Sequence, residues 1–212
     1  MKKSKALLQR LPIYLNYLKS YSDVRISSRE LAHALGLGEV LVRKDLATVS
    51  DGGRRRIGHC CKQLISDIEQ FLDFQNTTDA VLVGAGKLGQ ALMDYTGFEK
   101  NGLNIVSAFD IAPVTKRSSA GKPIYPMSRL HSFCRRNNIR MGIIAVPSDQ
   151  AQGVCHALID AGILAIWNFA PIHLDTPGNV LLQNENLAGS LSSLHINLVS
   201  QYNEHCIDTI LM

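Results

Sequence analysis

Two groups of residues in this sequence have the types and spacing to do chemistry. Gly84-Ala85-Gly86-Lys87-Leu88-Gly89 places three glycines as G-x-G-x-x-G. A pyrophosphate needs that spacing: Gly84 allows a tight turn, Gly86 lets the anion approach the backbone, and Gly89 permits close packing of helix on strand. Ala85, Lys87 and Leu88 complete the loop, with the anion on the N-terminus of the helix that follows. Asp110 stands 21 residues beyond Gly89. A carboxylate there is placed to accept the adenosine ribose hydroxyls, and its charge repels a 2′-phosphate, which favours NAD over NADP.

The second group is basic. Arg43 and Lys44 lie side by side, and Arg54, Arg55 and Arg56 follow a Gly52-Gly53 pair. Arginine can direct two donors at guanine acceptors, whereas lysine offers one point charge to a base or a phosphate. Arginines on a glycine-flanked loop suit phosphates or a narrow minor groove.

Catalytic and metal chemistry find less support. Cys60 and Cys61 are adjacent and Cys134, Cys155 and Cys206 stand apart, so no C-x-x-C pair exists to hold zinc or cycle as a dithiol. The seven histidines form no H-x-x-x-H pair. These thiols read as ordinary cysteines of a reducing cytoplasm. No run of about 20 apolar residues could span a bilayer, and the N-terminal residues do not read as a charged-then-apolar leader with a small-residue cleavage site, so a cytoplasmic protein with no membrane partner is expected.

The elements that must position the two groups follow from periodicity. Apolar residues recur at helical spacing from Lys5 to Lys19, with Pro12 tolerable as a first-turn residue or a local kink. Ser27 and Glu30 fit a capping box that opens a second helix. Gly36-Leu37-Gly38 makes a short turn, and Glu39 to Val49 reads as a third helix with Val40, Leu41, Val42, Leu46 and Val49 largely inward. Two helices joined by a short glycine turn form a helix-turn-helix, whose second helix carries Arg43 and Lys44 toward base edges in the major groove. The glycine-flanked arginines then form a wing. Charge agrees with this division: residues 1–62 hold 13 Lys and Arg against 5 Asp and Glu, while residues 63–212 hold 9 against 13. The net of +4 therefore splits into a basic head of +8 and an acidic body of −4, and a basic head calls for a polyanion.

In the body, Asp79–Val83, Asn104–Phe109, Arg140–Val146 and Ile163–Phe169 read as short buried strands, with helices between them. That alternation means a parallel, doubly wound α/β sheet, in which ligands sit beyond the carboxyl ends of the strands. Pro147 and the Asn168–Pro171 loop therefore face the same crevice as the glycine loop. About 40 residues remain after Pro171, too few for a substrate domain, so no enzyme is expected and a small NAD-dependent oxidoreductase is the weaker reading. Leu187, Leu191, Leu194 and Leu198 form a narrow apolar stripe, usual in a helix that packs on a partner subunit. A homodimer suits paired DNA half-sites.

The order of RLPIYLNYL, ISSRELAHALGL, VRKDL, the basic glycine wing, VLVGAGKLGQAL, YTGF, FDIAP, IIAVPSDQAQ and WNFAP resembles the Rex family of bacterial redox-sensing transcriptional repressors, from about residue 8 to 198. The resemblance implies an N-terminal winged-helix DNA-binding domain (1–76), a Rossmann NAD(H)-binding domain (77–185) and a C-terminal exchanged dimerisation helix (186–212). It implies double-stranded operator DNA as partner, bound when NADH is low and released when NADH binds. Arg43 and Lys44 become recognition-helix contacts, and Arg54 and Arg55 wing contacts, while Arg56 stands where the family usually has a glycine, which bears on operator sequence. Gly84, Gly86 and Gly89 hold the pyrophosphate and Asp110 the ribose, while Tyr95 and Phe169-Ala170-Pro171 approach the nicotinamide. The family's charged pair, an Arg in the first helix and an Asp at the start of the exchanged helix, is replaced by Asn16 and Asn186, which bears on redox discrimination. A regulator whose crevice takes another nucleotide, such as coenzyme A, is the alternative.

Overall fold

The structure, a computed structural model, describes residues 4–51, 53, 57–74 and 76–210, with backbone alone for Lys5 and for 201–210. The chain forms two compact units, one reaching to Thr77 and including Lys100–Gly102, the other made of Thr78–Glu99 and the chain from Leu103 onward.

The first unit is helical. Its elements are α1 (Lys5–Ser20), β1 (Arg25–Ile26), α2 (Ser28–Ala34), α3 (Glu39–Val49), β2 (His59–Cys60) and α4 (Cys61–Leu72). Leu7, Leu11, Tyr14, Leu15 and Leu18 fall on one face of α1 at spacings of three and four, and all are buried. They meet Leu31 of α2, Val42 and Leu46 of α3, and Leu64 and Ile68 of α4 in one core. Pro12 lies inside α1, and the helix continues past it. The capping box at α2 is complete, with Ser27 Oγ accepting from Glu30 N and Glu30 accepting from Ser27 N. On α3 the inward side chains are Val42, Asp45 and Leu46, whereas Val40 and Leu41 are exposed. An acid thus takes an inward position, and the expected inward placement of Val40 and Leu41 is corrected.

β1 and β2 pair antiparallel, Arg25 with Cys60 and Ile26 with His59. They form the stem of a wing. Gly58 has φ of +73°, and a Cβ there would lie 2.5 Å from Ile26 O, so only glycine lets the stem close. The tip residues Arg54, Arg55 and Arg56 lie outside the described residues.

The second unit contains β3 (Thr78–Val83), α5 (Lys87–Asp94), β4 (Leu103–Asp110), β5 (Ile124–Pro126), α6 (Leu130–Arg136), β6 (Met141–Ile144), α7 (Ser148–Asp160), β7 (Ala165–Asn168), β8 (Leu181–Asn184) and α8 (Leu187–Ile210). Its six strands are parallel and ordered β5-β4-β3-β6-β7-β8. The strand order reverses between β3 and β6, the switch point of a doubly wound sheet. Alternation along β3 serves two layers: Val81 and Val83 enter a core with α6 and α7, and Ala80 and Leu82 enter a core with Met93 of α5. Among the described residues no helix is long and apolar enough to cross a membrane.

Candidate functional site

In the helical unit the candidate surface is built on α3. Arg43 and Lys44 are exposed, and Arg43 lines a concavity of about 850 Å³ with Arg25, Ser27, Ser28, Glu39 and Gly58. Directly behind them, Asp45 turns inward and is 6% exposed. It accepts from Arg10 Nε at 2.7 Å, Arg10 Nη2 at 2.8 Å and Tyr14 Oη at 2.8 Å. This bidentate clamp fixes the rotation of α3 against α1, and so the direction in which Arg43 and Lys44 project. Hydrogen bonding to Asp45 pushes the Arg10 guanidinium above its usual range. Burial, then Asp45, pushes the Tyr14 hydroxyl up to about 12. Sequence reasoning missed the clamp. Its signal was available: an acid at an inward position of α3, and Arg and Tyr four residues apart on one face of α1.

In the second unit the glycine loop leaves the carboxyl end of β3 beside the end of β6. Gly84 has φ of +102°, and a Cβ there would lie 2.5 Å from Ala145 O. A Cβ on Gly89 would run into Gly84 O, so helix and loop approach as closely as glycine permits. At Gly86 a Cβ would meet nothing within 4 Å, and the approach to the backbone is open. Gly86 caps α5 with no side chain, which leaves the amides of the first turn, beginning at Lys87 and Leu88, free of a side-chain acceptor. Asp110, at the end of β4, accepts from Ala85 N at 2.8 Å and from Ala112 N at 2.9 Å. Its carboxylate therefore sets the loop's position, and lone pairs remain for ribose hydroxyls. Pro147 is exposed at the start of α7, beyond β6, and Phe169, Ala170 and Pro171 follow β7. The glycine loop, Asp110, Pro147 and Phe169–Pro171 are thus brought to the carboxyl ends of four adjacent parallel strands.

Tyr95, 59% exposed, joins this group through aromatic rings. Its ring lies 4.8 Å from Phe98, Phe98 lies 5.4 Å from Trp167, and Trp167 lies 4.6 Å from Phe169. Two further residues, given no role of their own by the sequence, organise the site. Asn168 is fully buried; its Nδ2 donates to Ala170 O, Ile172 O and Asn184 Oδ1, and its Oδ1 accepts from Ala170 N. Trp167 Nε1 donates to Glu185 Oε1 at 2.8 Å. Burial pushes the Cys61, Cys134 and Cys155 thiols up, Cys134 to about 11. Among the described residues no group of His, Cys, Asp and Glu could hold a metal ion.

A helix-turn-helix with a β-stem, together with a doubly wound sheet whose glycine loop is open to an anion, defines a winged-helix regulator equipped with a Rossmann nucleotide site. Residues 3–47 match the family described as Putative DNA-binding protein N-terminus, and residues 75–172 the family described as CoA binding domain. The redox-sensing transcriptional repressor Rex of Thermoanaerobacter pseudethanolicus is 37% identical over 93% of this chain and 90% of its own length. The chain belongs to the Rex family of redox-sensing transcriptional repressors. A solved structure of RSP in complex with β-NAD+ and operator DNA is 34% identical, covers 98% of each chain and superposes with a TM-score of 0.86. That of RSP with β-NADH is 33% identical, covers 98% of this chain and 99% of its own, with a TM-score of 0.84.

Proposed function

We propose that this chain is a redox-responsive repressor that binds double-stranded operator DNA when NADH is low and releases it when NADH binds. The observation that carries the reading is the convergence of the open Gly86 backbone and Asp110 at the sheet's switch point, in a chain whose 34% identical neighbour is solved with β-NAD+ and operator DNA. Arg43 and Lys44 on α3, with Arg54, Arg55 and Arg56 on the wing, contact DNA. Gly84, Ala85, Gly86, Lys87, Leu88 and Gly89 take the pyrophosphate and Asp110 the ribose. Tyr95, Pro147, Phe169, Ala170 and Pro171 surround the nicotinamide end. The chain divides into a DNA-binding domain (1–76), a cofactor domain (77–185) and a dimerisation helix (186–212), and acts in the cytoplasm as a regulator rather than an enzyme.

The partner of α8 is a second copy of the chain. Leu187, Leu191, Leu194 and Leu198 lie on it between 50% and 68% exposed, and a stripe of that kind is normally covered by another subunit. Asn186, where the family carries a charged residue, caps α8 by accepting from Gly189 N at 2.7 Å. The asparagine therefore serves the helix start and needs no ionic partner. Titrating NAD+ and NADH against an operator fragment tests the reading. Release by NADH and not by NAD+ is expected; equal response to both leaves a DNA-binding regulator without redox discrimination. The match of residues 75–172 to a CoA binding domain family supports a second reading, coenzyme A in the crevice. Displacement of bound NADH by coenzyme A would favour it.

A further inference from the structure

The end of β7 is joined to two parts of the second unit at once. Toward the crevice, Asn168 holds Ala170 and Ile172, and so the Phe169–Pro171 loop. Toward the dimerisation helix, the same amide donates to Asn184 Oδ1 at 2.9 Å, its backbone carbonyl accepts from Glu185 N at 2.8 Å, and the neighbouring Trp167 indole grips the Glu185 side chain. Glu185 and Asn186 are the last residues before α8. Trp167 on β7 and Phe169 just past its end have rings 4.6 Å apart, so a displacement of Phe169 is felt at the indole directly. A helix whose apolar stripe is exposed takes its direction from the few residues at its root. Here that root is tied to the cofactor crevice by a buried amide and an indole N–H.

We propose that Trp167 and Asn168 form the joint that converts occupancy at the nicotinamide end of the crevice into a change in the direction of α8, with Glu185 as the receiving group. All three are positioning residues, bonded to the Phe169–Pro171 loop and to the segment before α8. The proposal rests on the reading that NADH governs DNA release. It adds the path by which the cofactor acts: through the strand that carries the nicotinamide loop, and out through the bond between Trp167 and Glu185.

Allosteric coupling is the ratio of operator affinities without and with NADH, and it can be lost while each affinity survives. Trp167→Phe keeps a ring against Phe98 and Phe169 but removes the indole N–H, and Glu185→Ala removes the acceptor. Each is expected to leave operator affinity without cofactor and the thermal midpoint close to those of the unmodified protein, and the ratio is read at NADH concentrations that saturate each variant. The coupling ratio should fall about three- to tenfold. Glu185→Gln keeps an acceptor oxygen at the same reach and should retain the ratio, a rescue that simple loss of packing would not produce. The full-length dimer is assayed by operator binding, and NADH binding by calorimetry, because Trp167 is the only tryptophan. An unchanged ratio in both Trp167→Phe and Glu185→Ala overturns the joint while leaving the redox-responsive reading intact. A starting protein whose operator binding ignores NADH overturns both.

Discussion

Each unit of this protein is organised around one buried polar residue, and the two residues differ in kind. In the helical unit it is Asp45, an ion clamped by the guanidinium of Arg10 and the hydroxyl of Tyr14. In the sheet unit it is Asn168, a neutral amide whose donors and acceptor are all engaged by one loop and one strand end. An ion pair resists rotation but leaves an uncompensated charge if one partner goes. An amide that bonds three segments carries no charge penalty, and its partners can shift together. On the proposed reading the helical unit presents Arg43 and Lys44 to DNA in a fixed direction, and a charged clamp suits that. The sheet unit must respond to a cofactor, and a neutral joint suits that.

Removing each residue should expose the contrast. Asp45→Ala is expected to cost about 3 kcal/mol, because Arg10 is left without its counter-ion. Denaturant unfolding measures it, and the paired change Arg10→Met with Asp45→Leu should recover most of the loss; no recovery would mean that Asp45 acts by packing alone. Asn168→Ala should cost less, about 2 kcal/mol, the desolvation of the carbonyls it served. A larger loss than at Asp45 would reverse the ranking.

Next in size comes the glycine loop. Gly84→Ala forces a side chain into a positive φ against Ala145 O and is expected to destabilise by about 1.5 kcal/mol. Gly86→Ala meets open space and should leave unfolding unchanged while abolishing NADH binding, as calorimetry would show. Lys44→Ala should leave stability alone and lower the slope of log affinity against log salt by about 1. The last effect appears only at high pH. Tyr14 has its proton held up to about 12 in the folded state against an ordinary 10.0. Its contribution is full below pH 10 and is lost as pH rises through 12. A pH scan followed by near-ultraviolet absorbance should therefore show the helical unit loosening with ionisation of Tyr14.

The parts legible in the sequence were those fixed by local spacing. The capping box at Ser27 and Glu30, the α3 span Glu39–Val49 and the close backbone approaches at Gly84 and Gly89 each rest on a few neighbouring residues, and the structure shows each of them. β5 and β8 were not legible. Both are edge strands of three and four residues, and β8 is largely exposed, so neither has the continuous apolar run that marks a buried strand. The Asp45 clamp and the bond between Trp167 and Glu185 were hidden for a different reason. Their partners stand 35 and 18 residues apart, and only the fold brings such groups together. Val40 and Leu41 looked inward because apolar residues are usually buried, yet α3 turns Asp45 inward instead. The wing arginines fall outside the described residues, and their part rests on sequence alone.

The leucines of α8 carry a consequence in the cell. If α8 pairs with a second copy, as proposed, each protomer gains stability on pairing, and its folded fraction rises with its own concentration by mass action. The number of molecules per cell then becomes a second input to the regulator: a scarce protein populates few dimers however the cofactor pool is poised, and an abundant one populates nearly all. Dilution should lower its thermal midpoint, and the same dilution should flatten the response to cofactor. The amount of the sensor thereby sets the range over which it can sense.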